Sequence, residues 1–176
     1  MEGNMTNKPL LCVGVLSVVL AALGLGILVR MATDGATEGQ PDPMLKKGDE
    51  YSIFRMAFSP DGTLVATANS NDRVSLWERA TGKKRADIAA HKGPVYAVAF
   101  SSEGKLLASG GCDDTIRLFE LKTLQNVRTW VGHEDTVTFL AFASDDRALV
   151  SGCVHFIKVW DLATGRERVS VKGPHW

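Results

Sequence analysis

Serine, histidine and aspartate recur together along this 176-residue chain, and such a trio is what acyl transfer requires. The hydroxyl attacks, the imidazole takes its proton, and the carboxylate orients the imidazole. His91, Ser109 and Asp114 form one candidate set. A catalytic set occurs once in a chain, however, and this one has counterparts on either side. No G-x-S-x-G elbow or other nucleophile motif accompanies it. The recurrence therefore predicts buried hydrogen-bonded ties and not a hydrolase. Cys153, His155 and His133 offer sulfur and imidazole ligands that suit zinc or copper, but three residues without a recurring metal spacing read better as a substituted structural position. No phosphate-binding loop, paired-carboxylate site or C-x-x-C pair is present. The expectation is a chain with no cofactor, no metal and no enzymatic activity.

The elements that position these residues are read from their period. Phe58, Phe100 and Phe142 recur at steps of 42, while Trp77, Phe119 and Trp160 recur at 42 and 41. In each copy an apolar alternating run (IFRMAF, VYAVAF, VTFLAF) meets a polar turn (SPDG, SSEG, ASDD). A second run follows (LVATA, LLASG, LVSG), then a turn holding Asp72, Asp114 or His155, and then VSLW, IRLF or IKVW. A further turn leads to a fourth, weaker strand around Ile88, Trp130 and Val171. Four short strands per repeat of about 40 to 45 residues predict an all-β propeller.

Residues 91–120 and 132–161 resemble the WD-repeat family, through His91, FSSEG, LASGG, Asp114 and IRLFE in one copy and Gly132-His133, LVSG and IKVWD in the next. The resemblance implies three four-stranded blades over residues 49–176, at about 49–90, 91–132 and 133–174, forming an incomplete propeller. It also implies a set of His, Ser or Thr, Asp and Trp tying each blade together. Carried onto this chain, the first set is Thr67, Asp72 and Trp77, with Gly48-Asp49 where the family has Gly-His. The second is His91, Ser109 and Asp114, with Phe119 in place of Trp. The third is His133, Ser151 and Trp160, with His155 at the Asp position. Trp130 and Phe139 are expected in the core between blades.

The resemblance further implies a rigid platform for protein partners, with contacts made by loops at one end of the blades: Asn71, Arg73, Lys92, Asp113, Glu134 and Asp135. Those partners include another propeller-bearing chain or a second copy of this one. The alternative is a fragment or subunit of a larger propeller-bearing enzyme or sensor. Formal net charge is zero, which disfavours sequence-independent nucleic-acid binding, since that rests on a basic face, and the expectation is no nucleic-acid partner.

Ahead of the repeats, residues 1–9 form a short tail. Residues 10–29, LLCVGVLSVVLAALGLGILV, contain no charge and are long enough as a helix to cross the roughly 30 Å hydrocarbon core of a bilayer. A cleaved signal peptide is the rival, but its apolar region runs about 7 to 15 residues, and this run continues past Ala22-Leu23-Gly24. The expectation is a single-pass transmembrane helix followed by a flexible linker over residues 30–48. Lys8 and Arg30 balance across the span and leave its orientation open.

Overall fold

The computed structural model describes residues 51–173, and among them every regular element is a β-strand. The expected tail, transmembrane helix and linker lie outside the described residues, as do Gly48-Asp49. Among the described residues no helix is long and apolar enough to cross a membrane.

Three antiparallel sheets follow one another along the chain. The first contains β1 (Ile53–Phe58), β2 (Leu64–Asn69), β3 (Arg73–Glu78) and β4 (Lys84–Ala89). The second contains β5 (Val95–Phe100), β6 (Leu106–Gly111), β7 (Thr115–Glu120) and β8 (Asn126–Val131). The third contains β9 (Phe139–Phe142), β10 (Ala148–Gly152), β11 (Phe156–Asp161) and β12 (Glu167–Lys172). Strands pair in chain order, because the polar turns between them fold each run back on its predecessor. In the first such turn the Gly62 N–H bonds the Ser59 carbonyl at 2.8 Å, and the Asp61 carboxylate accepts the Thr63 N–H at 3.0 Å. Gly62 has φ 69°, which a glycine adopts at little cost.

Alternation gives every sheet two unlike faces. The leading face carries the third-strand aromatic, as in the register Val65↔Trp77, Leu107↔Phe119 and Leu149↔Trp160. The trailing face carries the intervening residues, such as Ala66↔Leu76 and Ala108↔Leu118. The trailing face of the first sheet (Ala66, Ala68, Val74, Leu76, Ile88) packs with Val95, Val98, Leu107 and Phe119 on the leading face of the second. The trailing face of the second (Ala97, Ala108, Ile116, Leu118, Trp130) packs with Val137, Leu140, Leu149 and Trp160 of the third. The core is therefore two layers between sheets, and one rule of face against face builds both.

Trp130 takes its expected place, buried against Trp160 at 5.9 Å between ring centroids, with its indole N–H donating to the Gly165 carbonyl at 2.9 Å. Phe139 does not, and is 53% exposed. It pairs with Gly152 on the trailing face of the third sheet, and among the described residues no sheet follows to cover it. Alternation assigns a residue to a face; a neighbour is needed to make that face a core.

Candidate functional site

A connected group of side-chain hydrogen bonds is built around His91, which closes the second sheet from the loop ahead of β5. Its Nε2 lies 2.7 Å from Ser109 Oγ on β6, and its Nδ1 lies 2.8 Å from Asp113 Oδ1 in the β6–β7 hairpin. The Asp113 carboxylate also accepts the Lys92 N–H at 3.1 Å and the Thr115 hydroxyl at 2.7 Å. Burial pushes the His91 imidazole below its ordinary pKa despite the carboxylate beside it. Burial also works to raise Asp113, but the N–H of Lys92, the Thr115 hydroxyl and the His91 ring outweigh it and hold the carboxyl at about 2. A neutral ring facing an ionised carboxylate carries its proton on Nδ1, so Nε2 accepts from the Ser109 hydroxyl.

That order of donors is the order of a catalytic triad. Ser109 is 0% exposed and His91 7%, however, so no substrate carbonyl reaches the hydroxyl. What the arrangement does is tie the loop at residues 91–92 to two strands and a hairpin. Space for the ring is made at Gly111, where a Cβ would lie 2.6 Å from it.

The tie involves Asp113, and Asp114 takes no part in it. Asp114 and its counterpart Asp72 occupy the left-handed turn position, at φ 59° and 69°. Burial, followed by the charges of Asp135 and Asp113, raises the Asp114 carboxyl. The expected roles are therefore exchanged: Asp113 is a structural residue, while Asp72 and Asp114 belong to the loop end. Two adjacent aspartates left the period unable to choose between them.

The third sheet keeps half of this arrangement. Ser151 Oγ lies 2.6 Å from His133 Nε2 and accepts the Trp160 indole N–H at 2.8 Å. His133 Nδ1 is buried with no hydrogen-bond partner among the described residues. The cause is the hairpin. Gly152 pairs with Ile157 where Gly110 pairs with Ile116, so the third connection is one residue shorter and contains no left-handed residue. Counting back from Trp160 sets His155 against Asp114 and Val154 against Asp113, so the place of the carboxylate that ties the second sheet is filled by an apolar residue. Among the described residues no group of three His, Cys, Asp or Glu side chains is placed to hold a metal.

In the first sheet Trp77 donates to Thr67 Oγ1 at 3.1 Å. Asn71 stands where Asp113 does, with its Oδ1 buried and without a partner among the described residues. A second polar chain here escapes the periodic reading. Asn69 Nδ2 donates to Ser75 Oγ at 2.8 Å, and Ser75 donates to Asp87 Oδ1 at 2.6 Å. Asn69 faces Ile53 as Gly111 faces Val95, so a buried amide stands where the second sheet leaves room for an imidazole. A polar residue at the 42-step position of a glycine was the available signal.

The six expected contact residues do gather in the connections at one end of the sheets, but they are not equally available. Lys92 and Glu134 are exposed, and Asp72 joins them. Arg73 is held to Asp87 at 3.5 Å, Asp135 accepts the Thr136 N–H at 2.6 Å, and Asp113 is committed to His91.

The WD domain, G-beta repeat family pattern matches residues 44–78, 82–120 and 124–161, more than half of the chain. The chain belongs to the WD40 repeat family. Each matched WD40 repeat ends with the third strand of a sheet, so sequence repeat and blade are offset by one strand: β4 lies in the second match and the first blade. The crystal structure of RRP9 WD40 repeats is similar at 29% identity and TM-score 0.68, over 72% of this chain and 40% of that one. The structure of U3-55K is similar at the same identity and TM-score, over 72% and 41%. Periodic tryptophan protein 2 homolog of Dictyostelium discoideum is 33% identical over 52 residues, which is 30% of this chain and 6% of that protein. An uncharacterized WD repeat-containing protein of Nostoc is 48% identical over 40 residues, 23% of this chain and 3% of its own length. The chain thus spans well under half the length of each relative.

The WD40 comparison of blades yields a direct test. Replacing residues 153–156 with the five residues Gly111–Thr115 restores hairpin length and brings a carboxylate to His133 Nδ1. The graft is expected to stabilise by about 1 kcal/mol, and Phe119→Trp, which gives Ser109 an indole donor, by up to about 1 kcal/mol. Denaturant midpoints read both, and a histidine NMR titration showing His133 unmoved in the graft would refute the hairpin assignment.

Proposed function

We propose that this chain is a non-catalytic scaffold, anchored to a membrane by residues 10–29, whose WD40 blades hold protein partners for complex assembly. The observation that carries the reading is the division between buried ties and an exposed loop end. Every Ser-His pair among the described residues is sealed inside a blade, whereas Asp72, Lys92 and Glu134 stand free at one end. A rigid frame presenting variable loops is suited to recognition. Balanced charge favours protein surfaces over nucleic acid as the ligand. The relatives' names do not define a partner for this chain, and the scaffold role rests on family analogy. The anchor rests on the uncharged 20-residue run.

The experiment is crosslinking of the full-length chain in membranes, comparing wild type with the double reversal Lys92→Glu and Glu134→Lys. The expected result is a carbonate-resistant protein with an intact N-terminus, whose partner crosslinks fall at least about tenfold in the variant, while its denaturation midpoint stays within about 0.5 kcal/mol. Unchanged crosslinks remove the loop end as the contact surface. A soluble mature form beginning after Gly24 removes the anchor.

A further inference from the structure

His91 and His133 hold equivalent places in the second and third sheets, and they differ in what surrounds the second ring nitrogen. Each ring meets the hydroxyl of a fully buried serine through Nε2, Ser109 at 2.7 Å and Ser151 at 2.6 Å. His91 Nδ1 then faces the Asp113 carboxylate at 2.8 Å. His133 Nδ1 is buried and has no partner among the described residues. The hairpin that brings Asp113 to the second sheet brings Cys153, Val154 and His155 to the third, none of them a carboxylate.

That difference decides what each ring does with a second proton. Ser151 Oγ also accepts the Trp160 indole N–H, so a neutral His133 with its proton on Nε2 donates to that oxygen and leaves only a lone pair at Nδ1. Protonation adds a charge and an N–H at Nδ1, where the described residues offer no acceptor, and such a group costs least once it reaches water. The charged groups around the ring do not supply one. Lys158 on β11 opposes a second positive charge, and Glu167 on β12, which favours one, is engaged by Lys158 at 2.8 Å. In its own loop Asp135 accepts the Thr136 N–H, and Glu134 is exposed. Burial, and then Lys158, accordingly hold the imidazole below its ordinary pKa. A protonated His91 keeps an acceptor at both nitrogens, because the Asp113 carboxylate stays at Nδ1 and the Ser109 hydroxyl turns to accept from Nε2.

We propose that His133 is a pH-operated latch: its protonation withdraws the ring from Ser151 and frees residues 132–136, the segment that bears Glu134, while the His91 tie of the second sheet stays closed. The freed segment is bounded by Val137, which is 0% exposed and whose N–H bonds the Gly111 carbonyl at 3.2 Å. The latch lies beside Trp160, in the layer between two described sheets, so it does not depend on what covers the open faces of the first and third. The hold of the neutral ring is complete above the ordinary histidine value of about 6.5 and is lost as pH falls through the lower value of the folded state. Mild acid thus withdraws the Glu134 side of the loop end and leaves Lys92 on its Asp113-bound loop. The consequence for partners rests on the scaffold reading, whereas the release itself does not.

The test follows the full chain in detergent by histidine side-chain NMR from pH about 8 to about 4.5. Cleavage after Glu134 by a glutamate-specific protease is measured alongside, each rate divided by that of an unstructured peptide spanning residues 130–139. The expected result is a normalised rate that rises at least about tenfold from pH about 7.5 to about 5 and tracks the His133 titration. Nuclear Overhauser contacts between the His91 ring and Gly111 are expected to persist. His133→Gln, whose amide nitrogen stands in for Nε2 and takes up no proton, is expected to give a flat profile. The graft of Gly111–Thr115 in place of residues 153–156 supplies the missing acceptor and is expected to stay closed at pH about 5. A wild-type loop that stays resistant while His133 protonates overturns the proposal, as does a His133 that remains neutral throughout the range. Equal acid opening in His133→Gln assigns the release to other groups and overturns it too. If that variant is open at every pH, the graft decides: closed at pH about 5 it supports the latch, and open it refutes it. No partner enters the measurement, so the latch can fail while the loop-end contact of Lys92 and Glu134 stands, and unchanged crosslinks there leave the latch standing.

Discussion

Asp113→Ala is expected to destabilise the protein by about 3 kcal/mol, whereas Asp114→Ala costs about 1 kcal/mol. The neighbours differ because one carboxylate collects donors and the other occupies a turn. Loss of the Asp113 side chain leaves the His91 Nδ1–H without its acceptor, frees the Lys92 N–H, and removes the partner of the Thr115 hydroxyl. It also removes the carboxylate that lies 3.6 Å from Arg117. Asp114 at φ 59° carries only the cost of a left-handed residue, so Asp114→Gly is expected to be neutral or stabilising. The pH dependence gives a second readout. Asp113 titrates at about 2 in the folded protein, below the roughly 4 of an unfolded aspartate, so its contribution is complete above that value and disappears as pH falls toward 2. The gap between wild type and Asp113→Ala is therefore full at pH 7 and narrows below pH about 4. His91 and His133 are both depressed by burial, so the stability their neutral forms contribute is present above pH about 6.5 and is lost as pH falls below it. Denaturant midpoints from pH 3 to 8 measure all of these, and equal losses for Asp113→Ala and Asp114→Ala would contradict the assignment.

The sheets were legible from sequence because strand alternation, turn residues and aromatic landmarks all repeat at one period. Ile53–Phe58, Val95–Phe100 and the Leu140–Phe142 run needed only that regularity. Information was lost where neighbouring residues compete for one role or where two copies depart from each other. Asp113 and Asp114 are chemically identical, and only the backbone shows which of them turns left-handed. The third hairpin is one residue shorter, so counting forward from Gly152 sets His155 against Asp113 while counting back from Trp160 sets it against Asp114. Leu124 shows the same limit in reverse. It holds, at φ 59°, a left-handed position occupied by Gly82 and Gly165 in the other blades, and its side chain packs against the core between the first two blades. Buried apolar surface offsets backbone strain there. The period placed the six loop residues in connections at one end of the sheets, but exposure there depends on ion pairs such as Arg73–Asp87 that link different strands.

Trp160→Ala is expected to be the most damaging single change, at about 3–5 kcal/mol, with Trp160→Phe costing only about 1 kcal/mol. The indole is 4% exposed at the centre of the layer between the second and third sheets, 5.9 Å from the Trp130 ring and 6.3 Å from His133. Truncation opens a cavity in that layer and removes the aromatic pair along with the donor to Ser151. Phenylalanine keeps most of the ring volume and loses chiefly the indole N–H, a state the second sheet already tolerates with buried Phe119. The effect should also be local. In a stack of sheets each contacts only its neighbours, so weakening the second interface lets the third sheet open before the other two. Hydrogen exchange on Trp160→Ala is expected to show protection lost first in β9 to β12, with β1 to β8 retained. Uniform loss of protection through all three sheets would mean instead that the stack unfolds as one unit and that the layer around Trp160 holds the whole of it together.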